Sequence, residues 1–207
     1  MSQGLSLKGA LRRRFIGIKT IYPKLSIREP RHIIELPSLK NISKVDLKYP
    51  LLEPIVHAHI KWDSNEKKLV YNVVEPQLKK EEEKILKTIE NDMSELIDIK
   101  LSIMHKKREA IKYIQDKVNE IVEESRTRMS KESYVKIMYY IIRDFVGIND
   151  IEPLMHDPYI EDIGCSGMNT PIYIVHRKFG SIETNIRFTN FDYLSNFVVK
   201  LSERCGR

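Results

Sequence analysis

The sequence predicts an α+β protein: an N-terminal arm, a β-hairpin joined to a charged helical hairpin or bundle, then a small mixed α/β unit with an antiparallel hairpin. Three observations predict it. Two β-branched runs, Pro54–Trp62 and Lys68–Glu75, flank the polar stretch Asp63-Ser64-Asn65-Glu66 and read as paired strands. The 70 residues from Gln77 to Val146 contain neither glycine nor proline, so nothing local stops a helix there. Beyond Gly147, glycine and proline return between short apolar segments.

Taken in order, residues 1–40 read as a basic arm, 41–147 as a β-hairpin and helical-bundle subdomain, and 148–207 as a small α/β subdomain. The arm holds Pro23, Pro30 and Pro37, with room for one short amphipathic helix around Leu5–Ile18. Residues 1–31 carry eight basic side chains against Glu29 alone, a local net of +7, so the whole-chain excess of +6 belongs to this segment. A single helix over the glycine-free stretch would run to about 105 Å at about 1.5 Å per residue, so it must break. The breaks are expected near Lys100–Met104 and Ser125–Ser130. Leu78, Ile85, Ile89, Met93 and Leu96 follow helical spacing, as do Ile111, Ile114, Val118 and Ile121. A third helix from Lys131 to Phe145 turns Tyr134, Ile137, Met138, Ile141, Ile142 and Phe145 inward, with Gly147 as its left-handed terminator. Short segments follow at Ile148–Met155, Ile160–Cys165, Pro171–Lys178 and Ser181–Phe188, the last two a hairpin turning at Phe179-Gly180. A final helix, Phe191–Cys205, presents Leu194, Phe197, Val198 and Leu201 on one face, and Gly206 is placed to end it.

Composition narrows the classes. A chain of 207 residues, 42% hydrophobic and 31% charged, suits one or two globular domains. No apolar run approaches the roughly 18 residues that cross a bilayer. No apolar core follows the basic residues at the N-terminus, so a secretory leader is not expected. Cys165 and Cys205 alone support neither a disulfide framework nor a thiolate zinc site, and the expected compartment is a reducing cytoplasm.

Individual residues divide into sites and ordinary surface. Glu161 and Asp162 are neighbours on a strand, so they point apart and read as a strand-end ion pair or cap, not an acid–base pair. His57 and His59 share a strand face with no third ligand near in sequence and read as a half-exposed face, with no metal site assigned. His176 and Arg177, beside a hairpin, could contact a neighbour or nucleotide. Lys8, Arg12, Arg13, Arg14 and Lys19, interleaved with Leu5, Leu11, Phe15, Ile16 and Ile18, form a basic amphipathic element. Docking to a partner or to anionic lipid, at about 1 kcal/mol per basic residue near the surface, is the favoured reading. A solvated arm is the plain one, and generic attraction to nucleic acid comes last, because few aromatic residues are present for stacking.

One stretch says more. Asp157-Pro158-Tyr159-Ile160-Glu161-Asp162-Ile163-Gly164-Cys165-Ser166-Gly167, then Pro171-Ile172-Tyr173-Ile174-Val175-His176-Arg177-Lys178-Phe179-Gly180, resembles the signature of the N-terminal domain of secretion ATPases. That superfamily drives type II and type IV secretion, type IV pili and the archaeal flagellum. The likeness continues through Thr184, Phe188, Phe191 and Asp192 to Leu201-Ser-Glu-Arg-Cys-Gly-Arg207. Upstream, Tyr49-Pro-Leu-Leu-Glu-Pro54 and Tyr71-Asn-Val-Val-Glu-Pro-Gln-Leu78 look like the archaeal branch, most like the archaellum motor ATPase, with archaeal pilus-assembly or secretion ATPases close by.

The resemblance implies a hexameric ATPase that uses ATP and Mg, with a peripheral position at the inner face of the membrane. Its implied partners are its own C-terminal ATPase domain, neighbouring subunits, an integral membrane platform protein and accessory motor proteins, with no specific nucleic acid. It further implies that Arg207, Arg204 and Lys200, near the domain junction, contact nucleotide phosphate, a task suited to the forked, permanently charged guanidinium. This chain lacks the phosphate loop G-x-x-x-x-G-K-[ST]. Its one glycine pair at that spacing, Gly4 and Gly9, is followed by Ala10-Leu11. The chain alone is therefore expected to be inactive, an N-terminal portion preceding an ATPase domain. A stand-alone protein-binding module is the alternative.

Overall fold

The computed structural model describes residues 27–30, 35–36, 41–101 (side chains to Met93) and 107–206. The fold is α+β. Six strands form one mixed sheet: β1 Asp46–Leu52, β2 Val56–Asp63, β3 Lys68–Val74, β4 Ile160–Gly164, β5 Pro171–His176 and β6 Gly180–Arg187. The helices are α1 Lys80–Leu101, α2 Lys107–Glu124, α3 Lys131–Ile141 and α4 Phe191–Arg204.

The sheet order is β1-β2-β3-β6-β5-β4. It consists of two antiparallel meanders, β1–β3 and β4–β6, whose last strands meet side by side. That meeting is parallel and short, pairing Val70 with Glu183 and Tyr71 with Thr184. The Asn185 side chain extends it. Its amide oxygen accepts the Val73 N–H at 2.8 Å and its amide nitrogen donates to the Val73 carbonyl at 3.1 Å, so a side chain acts as one more rung of backbone. The meanders thus share one sheet across residue 147, and buried residues of both fill one core.

Alternation explains which face is buried. Val56, Ala58 and Ile60, then Leu69, Tyr71 and Val73, then Ile172 and Ile174 point to the core, while His57, His59 and Tyr173 lie on the other face. The β2–β3 turn is held by Asp63, whose Oδ1 accepts the amides of Asn65 and Glu66 at 2.8 and 3.2 Å. On the opposite face His59 Nε2 lies 2.7 Å from Asp46 Oδ1, the half-exposed pairing expected of a strand surface. Gly180, at φ +72°, makes the β5–β6 turn that an L side chain would strain.

The helices make a second core of Ile89, Met93, Ile114, Val118, Tyr134, Ile137, Met138 and Ile141. The break between α2 and α3 falls at 125–130, where Ser130 caps α3 by accepting the Ser133 amide at 3.0 Å. Asn190 caps α4 in the same way through the Tyr193 amide at 2.9 Å.

Four readings need correction. Strand β1 is additional: Leu47, Tyr49 and Leu51 alternate inward, a pattern obscured by Pro50, which an edge strand tolerates. The third helix ends as an α-helix at Ile141 and widens into a π-turn over Ile142–Val146, closed by the Gly147 amide on the Ile142 carbonyl at 2.8 Å. Gly147 is not left-handed but extended, at φ −82° and ψ −165°. It is needed because a Cβ there would sit 2.6 Å from the Arg143 carbonyl oxygen. Finally, Val198 of α4 is 51% exposed, and the inward face is made by Phe197 with Leu194 and Leu201.

Candidate functional site

The π-turn after α3 and the 3-10 helix at Asn149–His156 bring the buried Glu152 together with the largely buried Arg143 and its carboxylate partners. Widening the last turn swings Arg143 between three carboxylates. Its Nε and Nη2 grip Asp144 at 2.7 and 3.1 Å, Nη1 reaches Glu75 at 2.9 Å, and Nη2 reaches Asp150 at 3.1 Å. The Tyr140 ring lies under the guanidinium at 4.9 Å. Tyr139 donates to Glu75 at 2.5 Å and Tyr140 to the Pro76 carbonyl at 2.7 Å. The segment leaving β3 is thus locked to the end of α3.

Of the residues proposed to touch phosphate, Lys200 and Arg204 are one turn apart on α4 and both face this turn. Lys200 Nζ donates to the Asp144 carbonyl and to Asn149 Oδ1 (2.7 Å), and Arg204 donates to the Val146 carbonyl. These are the carbonyls that a helix end leaves without intrahelical partners, and cations are favoured there. Lys200 thus spends two of its three donors on this turn and Arg204 one of its five, and no step through ATP or Mg is derived from them. Arg207, Lys8, Arg12, Arg13, Arg14 and Lys19 lie outside the described residues.

Burial, followed by the neighbouring Arg204, brings the Lys200 ammonium down to about 8. A lysine whose folded pKa is lowered binds fewer protons folded than unfolded, so its charge penalty is present at neutral pH and is relieved as pH rises. Between about pH 8 and 9.5, the stability difference between wild type and Lys200→Met should therefore rise with pH, at most about 1.4 kcal/mol per pH unit. Urea unfolding across that range reads it, and a flat difference would show an ordinary lysine. Above about pH 10 the buried tyrosines, all raised by burial, lower the stability of both proteins alike as the unfolded chain ionises, and so cancel in the difference.

A second polar group lies within the sheet core. The Asp157 carboxylate, at the start of the 157–167 run, accepts the hydroxyls of Tyr49 and Tyr71, each at 2.6 Å on Oδ2, and the Tyr159 amide at 2.8 Å on Oδ1. His176, 1% exposed, stacks on Tyr159 with centroids 5.7 Å apart and faces Phe179 at 5.0 Å. Burial holds its pKa below the usual histidine value. Its Nδ1 accepts the Lys178 amide at 3.2 Å, which assigns the proton to Nε2, 3.5 Å from the Tyr49 hydroxyl. The ring is a buried spacer, closed to solvent in this arrangement. Glu161 is an exposed strand-end partner of Arg177 at 3.2 Å, and Asp162 caps the Ile163 amide at 2.9 Å.

The sequence reading missed Tyr49, Tyr71, Arg143, Glu152 and His156 as site residues. A charged Arg143-Asp144 pair inside an otherwise apolar helix end was the available signal. Chemically, both groups restrain geometry: they join distant chain segments with charge-assisted bonds and expose no nucleophile–base pair among the residues described.

No family model matches the chain. It is 32% identical over 148 residues to the uncharacterized protein MJ1288 of Methanocaldococcus jannaschii, covering 72% of this chain and 58% of that protein. It is 30% identical over 216 residues to the uncharacterized protein MJ0900 of the same organism, covering 95% of this chain and 38% of that protein. The chain thus spans less than two thirds of the length of these relatives. Among the described residues, no helix is long and apolar enough to cross a membrane.

Proposed function

We propose that this chain is the N-terminal regulatory and oligomer-contact domain of a hexameric secretion-type ATPase, with the archaellum motor ATPase as the nearest resemblance. The observation that carries the reading is the ordered run from Asp157 to Gly180, whose turn, carboxylates, glycines and alternating strand resemble that superfamily's signature in sequence order. The archaeal source of both relatives supports the archaeal branch.

On this reading the chain acts as a rigid body. Asp157 ties β1 and β3 to the turn before β4, and Lys200 and Arg204 tie α4 to the end of α3. A unit so cross-linked passes on displacement instead of absorbing it. The basic element Lys8, Arg12, Arg13, Arg14 and Lys19 docks peripherally on a membrane platform protein or anionic lipid, and Arg207 meets nucleotide phosphate held by the ATPase domain.

The test is ATP hydrolysis by the full-length natural polypeptide with Mg and anionic vesicles, alongside Arg207→Ala. A lost charge-assisted phosphate contact predicts a fall of about tenfold or more in turnover. Turnover that the substitution leaves unchanged would remove the phosphate role, and no turnover at all would overturn the motor reading in favour of a binding module.

A further inference from the structure

His156 is held between two carboxylates that lie far apart in the chain. Its Nδ1 is 2.9 Å from Glu29 Oε1, and its Nε2 is 3.1 Å from Glu152 Oε1. A neutral imidazole has one N–H, so only the imidazolium donates to both at once. The two carboxylates are not equivalent. Glu152 is 7% exposed and fixed from two further directions: Lys107 Nζ reaches the same oxygen at 2.7 Å, and the Ile148 amide donates to Oε2 at 2.9 Å. Burial works against the Glu152 charge, but His156 and Lys107 outweigh it and bring the carboxyl down to about 2. Glu29 has no such anchorage. Its side chain is 71% exposed, and its segment 27–30 is otherwise held by the Arg28–Glu53 bridge and by Ile27 packed against the sheet core.

We propose that His156 is a protonation-gated latch, in which the imidazolium clasps residues 27–30 through Glu29 onto the body and the neutral ring lets them go. On losing a proton the ring keeps the hydrogen that faces the fixed acceptor, Nε2–H to Glu152. The Nδ1 lone pair then points at the Glu29 carboxylate, and attraction turns to repulsion. The weaker-held partner leaves.

The charged groups facing the ring are Glu152 on its own turn, Glu29 on the arm segment and Lys107 on α2. The bond to Glu152 raises the imidazole pKa first, Glu29 adds to it, and burial and Lys107 oppose. The net direction is up, so the clasp is complete below the unfolded value and is lost as pH rises through the raised folded value. The latch holds the described segment that residues 1–26, with their basic side chains, precede in sequence. It also joins that segment through Glu152 to Lys107 at the start of α2. The inference does not depend on the ATPase reading.

Hydrogen exchange of the Arg28 amide, which donates to the Glu53 carbonyl at 3.2 Å, reads the latch in the intact chain. After correction for the intrinsic pH dependence of exchange, wild-type protection should fall about tenfold between pH 6 and 9, the loss of one charge-assisted hydrogen bond. In His156→Gln, whose amide does not titrate, and in Glu29→Gln, which changes only an exposed side chain, protection should be the same at both pH values. Wild-type protection that does not change with pH would overturn the proposal. So would an equal fall in either variant.

Discussion

Replacing Asp157 with alanine should lower the unfolding free energy by about 4 kcal/mol, read as a lower urea midpoint at an unchanged m-value. The carboxylate is 4% exposed and is the acceptor for the hydroxyls of Tyr49 and Tyr71, themselves 3% and 0% exposed. Each buried hydroxyl stripped of its acceptor costs about 1–3 kcal/mol, and the Tyr159 amide loses its partner as well. Asp157→Asn should cost about half as much, because an amide presents oxygen on one side only. Whichever way it turns, its NH₂ meets either the two tyrosine hydroxyls or the Tyr159 N–H. Tyr49→Phe removes one of the stranded groups, so in the Asp157→Ala background it should cost much less than it does alone. An Asp157→Ala loss below about 1 kcal/mol would mean that the hydroxyls find other acceptors, and that this cluster does not hold the two meanders together.

Gly147→Ala should cost about 3 kcal/mol for a different reason. The backbone there, φ −82° and ψ −165°, is open to alanine, so conformational strain plays no part. The cost is collision. A Cβ would lie 2.6 Å from the Arg143 carbonyl oxygen and 2.7 and 2.8 Å from Glu152 Cδ and Cγ. Neither neighbour can yield cheaply: the carbonyl belongs to the π-turn, and Glu152 is held by Lys107, His156 and the Ile148 amide. Shortening the second obstacle, in Gly147→Ala combined with Glu152→Ala, relieves the side-chain clash but not the backbone one. The double variant should therefore remain less stable than Glu152→Ala alone. Near-neutral behaviour of Gly147→Ala in thermal unfolding would show that the turn is softer than its contacts indicate.

What the sequence made legible was set by local periodicity. Ile114, Val118, Tyr134, Ile137 and Met138 recur at helical spacing and are buried as that spacing requires. Asp63 through Glu66 mark a turn because a short carboxylate can take two amides from the chain that follows it. The hidden features depend on partners remote in sequence. Nothing near Asp157 announces Tyr49 or Tyr71, which come from strands of the other meander. Gly147 was correctly marked as a helix end but for the wrong reason, since the crowding atom on Glu152 appears only once the 3-10 helix folds back. Lys200 and Arg204 show the ambiguity most plainly. A cation in the last turns of a helix suits a phosphate and a bare carbonyl equally well, and the reach of these two to the turn after α3 depends on residues more than 50 positions away. The basic element at Lys8–Lys19 and Arg207 lie outside the described residues, so their roles rest on sequence alone.

The short parallel contact between β3 and β6 has a consequence for how the protein can change over time. Each meander closes on itself through short connections, and the whole helical excursion from Lys80 to Ile141 is inserted between them, leaving from one end of β3 and returning before β4. The entropy of closing such an excursion grows only as the logarithm of its length, about 0.6 kcal/mol for each doubling. Residues added to or removed from the far end of the α1–α2 hairpin therefore leave the register of Val70 with Glu183, and of Asn185 with Val73, where it was. The sheet is the invariant chassis, and the hairpin is the part whose reach can be altered while that chassis stays intact.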